Sequence, residues 1–212
     1  MRKSLRKRPT EYHHGDLRGA AVAAALAALD AGRPLPPLRE LAMTCGVAHP
    51  SLYRHFENAD ALMLAVAAAC FRQFAHTIRR AAEAETEPFV RLRAGSEAAI
   101  RWGLAHPGRY ALMTSASLAG KQHHREFFEA ARETFATLVE AVARCGAADP
   151  VPLAHTVMSA MHGLTDLLCK GRTIPDAAAS LDDQIAAMLQ MAEAFVRAKQ
   201  QEGRNGDRGV RR

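Results

Sequence analysis

Apolar residues recur along most of the chain at the three- and four-residue spacing of a helix, while alternating or clustered β-branched runs are hard to find. The pattern predicts an all-α protein. Between residues 16 and 31, Val22, Ala25, Leu26 and Leu29 share one helical face; Asp16 is placed to cap the start and Gly32 to end it. RPLPP (33–37) cannot lie inside a helix, but Pro37 suits a first turn, so a second short helix is expected over 38–45. Gly46 then turns the chain into a third, over 49–56, which tolerates Pro50 near its start. Asn58 caps a long fourth helix through Leu62, Val66 and Ala69 toward Ile78.

Beyond EAETEP (83–88) the helices lengthen. They are expected over 88–105, 107–117, 122–145, 150–171 and 177–202, each bounded by Pro or Gly. One face of the fifth carries Leu92, Ser96, Ala99, Ile100 and Gly103, and one face of the seventh Phe128, Ala131, Phe135, Leu138 and Val142. Ile185, Met188, Leu189, Ala192, Phe195 and Val196 give the ninth a broad apolar stripe. The expected organisation is a basic arm (1–15), a three-helix domain (16–60), a helical-bundle domain (61–202) and a disordered basic tail (203–212), with about nine helices in all.

Charge sharpens this picture because it is unevenly placed. The net charge is +6, yet residues 1–11 and 203–212 together carry +7, leaving a near-neutral body. Basic ends of this kind steer a protein toward polyanions, and they also serve simply as solubility devices. Cys45, Cys70, Cys145 and Cys169 are far apart and form no C-x-x-C pair, so they suggest small core residues in a reducing compartment rather than a zinc site or disulfide scaffold. The basic N-terminal stretch is not followed by an apolar signal region, and no run reaches the roughly 18 uninterrupted apolar residues of a membrane span. A cytoplasmic location without membrane partner is expected, and no cofactor is implied.

GVAHPSLYRHF (46–56) is the most informative stretch. Two short helices joined by a Gly-containing turn, the second polar at its start, have the layout of a helix-turn-helix. Leu38, Leu41, Ala42, Val47, Leu52 and Phe56 would pack inward, leaving His49, Ser51, Tyr53, Arg54 and His55 outside. Each can donate a hydrogen bond, and no carboxylate intervenes before Glu57, as a surface facing phosphates requires.

YHHGDLR (12–18), LRELAMTCGVAHPSLYRHF (38–56) and NADALM (58–63) together closely resemble the N-terminal DNA-binding domain of the TetR/AcrR family of transcriptional regulators. The resemblance covers about a quarter of the chain. It implies three DNA-binding helices followed by a divergent ligand-binding and dimerisation domain. It also puts the helix from His49 in the major groove, with His49, Pro50 and Ser51 at base-reading positions, Tyr53 and His55 at phosphate-contacting ones, and Arg39 as a further contact. AHPGRYALM (105–113) and MHGLTDLLCKG (161–171) resemble the WHG subgroup of C-terminal domains, with Met161 where that signature has Trp. Pro37 and Ala48 stand where the family commonly has a Ser or Thr cap, and Ala59 where it favours Lys; backbone N–H groups at that helix start are then the remaining anion donors.

Helix-turn-helix proteins pair to read two half-sites, so a homodimer on palindromic double-stranded DNA is expected, held by the last two helices. A pocket for a small-molecule effector, enclosed by helices five to eight, has Trp102, His106, Arg109, Tyr110, Met113, Phe127, Phe128, Met158 and His162 as candidate lining. His155, Ser159, His162 and Asp166 recur on one face of the eighth helix. As a hydrolase site they lack any sign of an oxyanion hole, and as a metal site a third and fourth ligand; His13, His14, His123 and His124 read as surface residues. A pocket lining and a dimer interface stay open for this face. The expected function is a sequence-specific regulator and not an enzyme, a repressor whose hold on DNA an effector releases; a helical enzyme or a sequence-independent architectural DNA binder are the alternatives.

Overall fold

The computed structural model describes residues 16–121, 124–172 and 180–209, with side chains through residue 202. The described residues form nine α-helices and one 3₁₀ turn, with no strand among them. They divide into two units, one up to Val66 and one from Ala67 onward. The expected arm, and His13, His14 and His123, lie outside the described residues.

The first unit contains α1 (Leu17–Asp30), α2 (Leu38–Thr44), α3 (His49–Tyr53) and the start of α4 (Ala59–Glu83). Asp16 caps α1 as expected, its Oδ1 accepting from the Gly19 N–H at 2.8 Å. That carboxylate folds back so closely that a Cβ at position 19 would lie 2.2 Å from Oδ2, so a larger residue there would shift the cap. α1 buries Ala21, Ala25, Leu26, Ala28 and Leu29; Val22 is only half-buried, a small rotation of the expected face. Gly46 takes φ +68°, the left-handed conformation that lets the chain reverse between α2 and α3. Leu38, Leu41, Ala42, Leu52 and Phe56 close the core, with the Arg18 guanidinium 5.6 Å from the Phe56 ring.

α3 ends at Tyr53 rather than at Phe56. The N–H groups of His55 and Phe56 both turn onto the Leu52 carbonyl at 2.9 Å, and Phe56 swings inward to fill the core. α4 begins under the expected Asn58 cap, whose Oδ1 accepts from the Ala61 N–H at 2.9 Å. One of the N–H donors at that helix start is therefore already taken. α4 continues beyond Ile78 to Glu83, and the boundary between units falls inside it rather than at its beginning. It is long and apolar enough to cross a membrane by length and composition, but half of that apolar window is buried inside the protein.

The second unit holds the rest of α4, α5 (Pro88–Ala105), α6 (Pro107–Met113), a 3₁₀ turn (Ala116–Leu118), α7 (Arg125–Arg144), α8 (Pro150–Cys169) and α9 (Leu181–Gly209). α5 is central, packed by α7, α8 and α9. Its core includes Phe89, Leu92, Ile100, Val142, Val157 and Leu189. α5 approaches α8 so tightly that a Cβ on Gly103 would meet Thr165 Cγ2 at 2.6 Å. α6 is shorter than expected because Ser115 starts the 3₁₀ turn, its Oγ accepting from the Ser117 N–H at 3.2 Å. α9 starts later than expected. Ser180 and Asp183 cap it reciprocally, Ser180 Oγ accepting from the Asp183 N–H at 3.1 Å and Asp183 Oδ2 from the Ser180 N–H at 3.0 Å. At its far end α9 runs to Gly209, past the boundary expected at 202: extending an existing helix costs little per residue, and no Pro stops it. Cys45, Cys70 and Cys145 are buried and Cys169 half-buried, and none of the four forms a disulfide.

Candidate nucleic-acid surface and ligand cavity

In the first unit, α2 and the Gly46 turn hold α3 by its apolar side, with Leu52 wholly buried. The opposite side is therefore presented outward. His49, Pro50, Tyr53, Arg54 and His55 are exposed, Tyr53 by 47%, and Ser51 is half-buried. The His49 and Tyr53 rings meet edge to face at 4.8 Å, which fixes two of these side chains against each other. Ser51 Oγ lies 3.4 Å from Arg54 Nη2. Arg39 is exposed on α2 and makes no ion pair with a described residue, since its neighbour Glu40 pairs with Arg33 at 3.3 Å. All the DNA-contact candidates thus lie on α2, on α3 or on the turn after α3. Sequence reading missed Met43, 69% exposed and one helical turn beyond Arg39 on the same face of α2. An outward Met on a short helix was its signal.

The second unit encloses a cavity of about 340 Å³. α4 supplies Phe71, Phe74 and Ile78; α5 supplies Leu92, Gly95, Ser96 and Ala99; α7 adds Thr134, Phe135 and Leu138. The small residues on α5 leave the space that Phe or Leu would fill. At one part of the wall Tyr110 Oη lies 2.7 Å from His162 Nδ1. Burial pushes the tyrosine up to about 12 and the histidine below its ordinary value, so both are neutral at pH 7. When the hydroxyl donates to Nδ1, Nε2 carries the ring proton.

Of the expected lining, Tyr110, Met113, Met158 and His162 reach this cavity. The others do not. Trp102, His106 and Arg109 line a separate, more open cleft with Arg72, Gln73 and Arg101. There Trp102 packs edge-on to Phe74 at 5.1 Å, and Arg109 donates to Gln73 Oε1. Phe127 is buried against Phe71, while Phe128 is 42% exposed. Successive helical residues point about 100° apart, so Tyr110 facing inward turns Arg109 away, and Phe127 likewise turns Phe128. Periodicity on one helix cannot say which side another helix will cover, and the α4 wall was missed for that reason.

The polar face of α8 does not converge. His162 reaches the cavity; His155 stacks against the Phe135 ring at 4.4 Å; Ser159 Oγ donates to the His155 carbonyl at 2.8 Å; Asp166 pairs with Lys170 at 2.6 Å. Among the described residues no group of three or more His, Cys, Asp or Glu is arranged to hold a metal. The α9 stripe also differs from expectation, since Ile185, Leu189, Ala192 and Val196 are buried within their own unit. The large apolar side chains that α8 and α9 leave exposed among the described residues are Val151, Leu167, Leu181 and Met191.

Residues 92–191 match a protein family described as tetracyclin repressor-like, C-terminal domain. A solved structure of a protein of unknown function from Rhodococcus sp. RHA1 is 26% identical with a TM-score of 0.72, covering 88% of this chain and 98% of that one. A TetR family transcription regulator from Marinobacter aquaeolei VT8 is 20% identical with a TM-score of 0.59, over 84% of this chain and 94% of that one. The TetR family transcriptional regulator PfmR from Thermus thermophilus is 15% identical with a TM-score of 0.53, over 86% and 97%. No curated protein matches.

Proposed function

Starting from the premise that this chain belongs to the TetR family of transcriptional regulators, we propose that it is a cytoplasmic, homodimeric repressor released from a palindromic operator by a small molecule. The observation that carries the reading is the outward, carboxylate-free polar surface of α3 on a buried Leu52 and Phe56. His49, Pro50 and Ser51 read base edges. Tyr53, Arg54, His55 and Arg39 hold the sugar-phosphate rails. Pairing of two copies through α8 and α9 is part of this proposal and supplies the two-fold symmetry that a palindromic operator requires.

The effector enters the cavity of the second unit. α4 is one unbroken helix whose first turns belong to the first unit and whose Phe71, Phe74 and Ile78 line the cavity. A ligand that presses on those side chains biases the position of the helix, and with it the separation of the two recognition helices of the dimer. Both must meet successive major grooves roughly 34 Å apart, so a shift of a few ångströms abolishes simultaneous binding. Effector and operator are then coupled reciprocally.

Selection of bound duplexes from a random pool tests the reading. A palindrome with half-sites spaced by one helical turn is the expected product; an unselected pool, with equal affinity for every duplex, would sink it.

A further inference from the structure

The wall of the cavity says more about its occupant than its volume does. It contains one arginine, one histidine and no carboxylate. Arg91, half-buried near the start of α5, donates Nη1 to the Glu85 backbone carbonyl at 2.7 Å. A guanidinium has five N–H donors, and no described carboxylate pairs with this one. Glu87, one helical turn earlier, is engaged elsewhere: its Oε2 accepts from the Val90 N–H at 2.8 Å. A partly desolvated cation with donors to spare, set in an apolar wall, is a receptor for an anion.

The cavity is also elongated. Phe71, Phe74, Ile78 and Ala82 line it along α4, a rise of about 16 Å at 1.5 Å per residue. Arg91 and the Tyr110–His162 pair mark opposite ends. Gly103, beside Tyr110 and Thr165, lies about 18 Å further along α5 than Arg91. Between them the wall is Ile78, Leu92, Gly95, Ala99, Phe135 and Leu138. At roughly 30 Å³ of liquid volume per water-sized group, 340 Å³ holds about eleven non-hydrogen atoms.

We propose that this cavity takes an elongated amphipathic carboxylate, its acidic head on Arg91 and its apolar body running along α4 and α7 toward Tyr110 and His162. The proposal rests on the reading of the cavity as the effector site and gives that effector a chemical class. A neutral ligand leaves the Arg91 charge half-buried without a counter-charge. A cationic one meets a like charge and no acid.

Three probes of equal chain length test it: decanoate, 1-decanol and decylamine, measured by calorimetry and by thermal melting of the full chain. Decanoate is expected to bind at least about tenfold tighter than decanol, a difference of about 1.4 kcal/mol, and decylamine not to stabilise the protein. Arg91→Met removes the advantage of decanoate while decanol still binds, which shows that the variant is folded with its cavity intact; Arg91→Lys restores part of the advantage. Decanol binding as tightly as decanoate, no binding of decanoate, or an advantage that survives Arg91→Met would overturn the proposal. Release of a selected duplex is read separately. Decanoate that binds through Arg91 without releasing DNA upholds the ligand class and removes the coupling, whereas release by decylamine and not by decanoate keeps the regulator and removes the class.

Discussion

The two units bury their apolar residues by the same helical rules and turn their polar ones in opposite directions. In the first, α3 keeps Leu52 inside and directs His49, Tyr53, Arg54 and His55 out, so its chemistry is an exposed surface. In the second, Tyr110 and His162 point into the bundle and meet each other, so its chemistry is a concave wall. A surface that reads DNA needs few residues held from behind. A cavity needs every helix around it to be packed, and its polar groups satisfied.

The largest expected effects separate the units outright. Phe56→Ala empties a wholly buried site in the small first unit and should cost about 3–5 kcal/mol, close to what so small a core supplies. DNA binding should vanish while decanol binding by the second unit persists; loss of both together would mean that the units fold as one. Gly103→Leu is the counterpart. Its side chain must displace Thr165 and Tyr110, and overpacking of this kind costs about 1–3 kcal/mol, read as a lower melting temperature with weakened ligand binding.

Smaller changes sharpen the division of labour on α3. Arg54→Ala should weaken binding to every duplex and reduce the slope of log affinity against log salt by about one, since one phosphate neutralisation is lost. His49→Ala or Ser51→Ala should instead change which bases are preferred, at roughly 1–3 kcal/mol per base pair. Competition between the selected operator and single-substitution duplexes, at several salt concentrations, distinguishes the two. Equal losses on all duplexes for both classes would erase the distinction between reading and holding.

The two units were not equally legible. The first could be read because its signals are local: Asp16 before α1, Pro37 at the start of α2, Gly46 in the turn, Asn58 before α4, and a polar run on few apolar anchors. Each acts within a few residues of itself, so spacing alone places it. The exception is instructive, because α3 stops early when Phe56 is drawn into a core made by other helices. The cavity depends on partners distant in sequence. Trp102 and Phe128 have the composition of a ligand wall, and which way they face is decided by α4 and α7 rather than by their own helix. Arg91 gave no signal in a sequence rich in arginine. Only the fold sets it apart, because no carboxylate among the described residues pairs with it.

The smallest expected effects are in pH, and they arise from the polar pair at the end of the cavity. Burial holds His162 below the roughly 6.5 of the unfolded chain, so between its folded value and pH 6.5 the unfolded state binds more protons. Stability from this group is complete above about pH 6.5 and is lost as pH falls toward the folded value. Tyr110 acts at the other extreme. Its folded value near 12 exceeds the ordinary 10, so the unfolded chain ionises first and stability falls as pH rises between the two. Replacing His162 by Gln should flatten only the acid arm of a plot of melting temperature against pH, and Tyr110→Phe only the alkaline arm. If His162→Gln flattened the alkaline arm as well, or if neither replacement changed its own arm, the pH response would not belong to the buried pair and the contrast between wall and surface would fail.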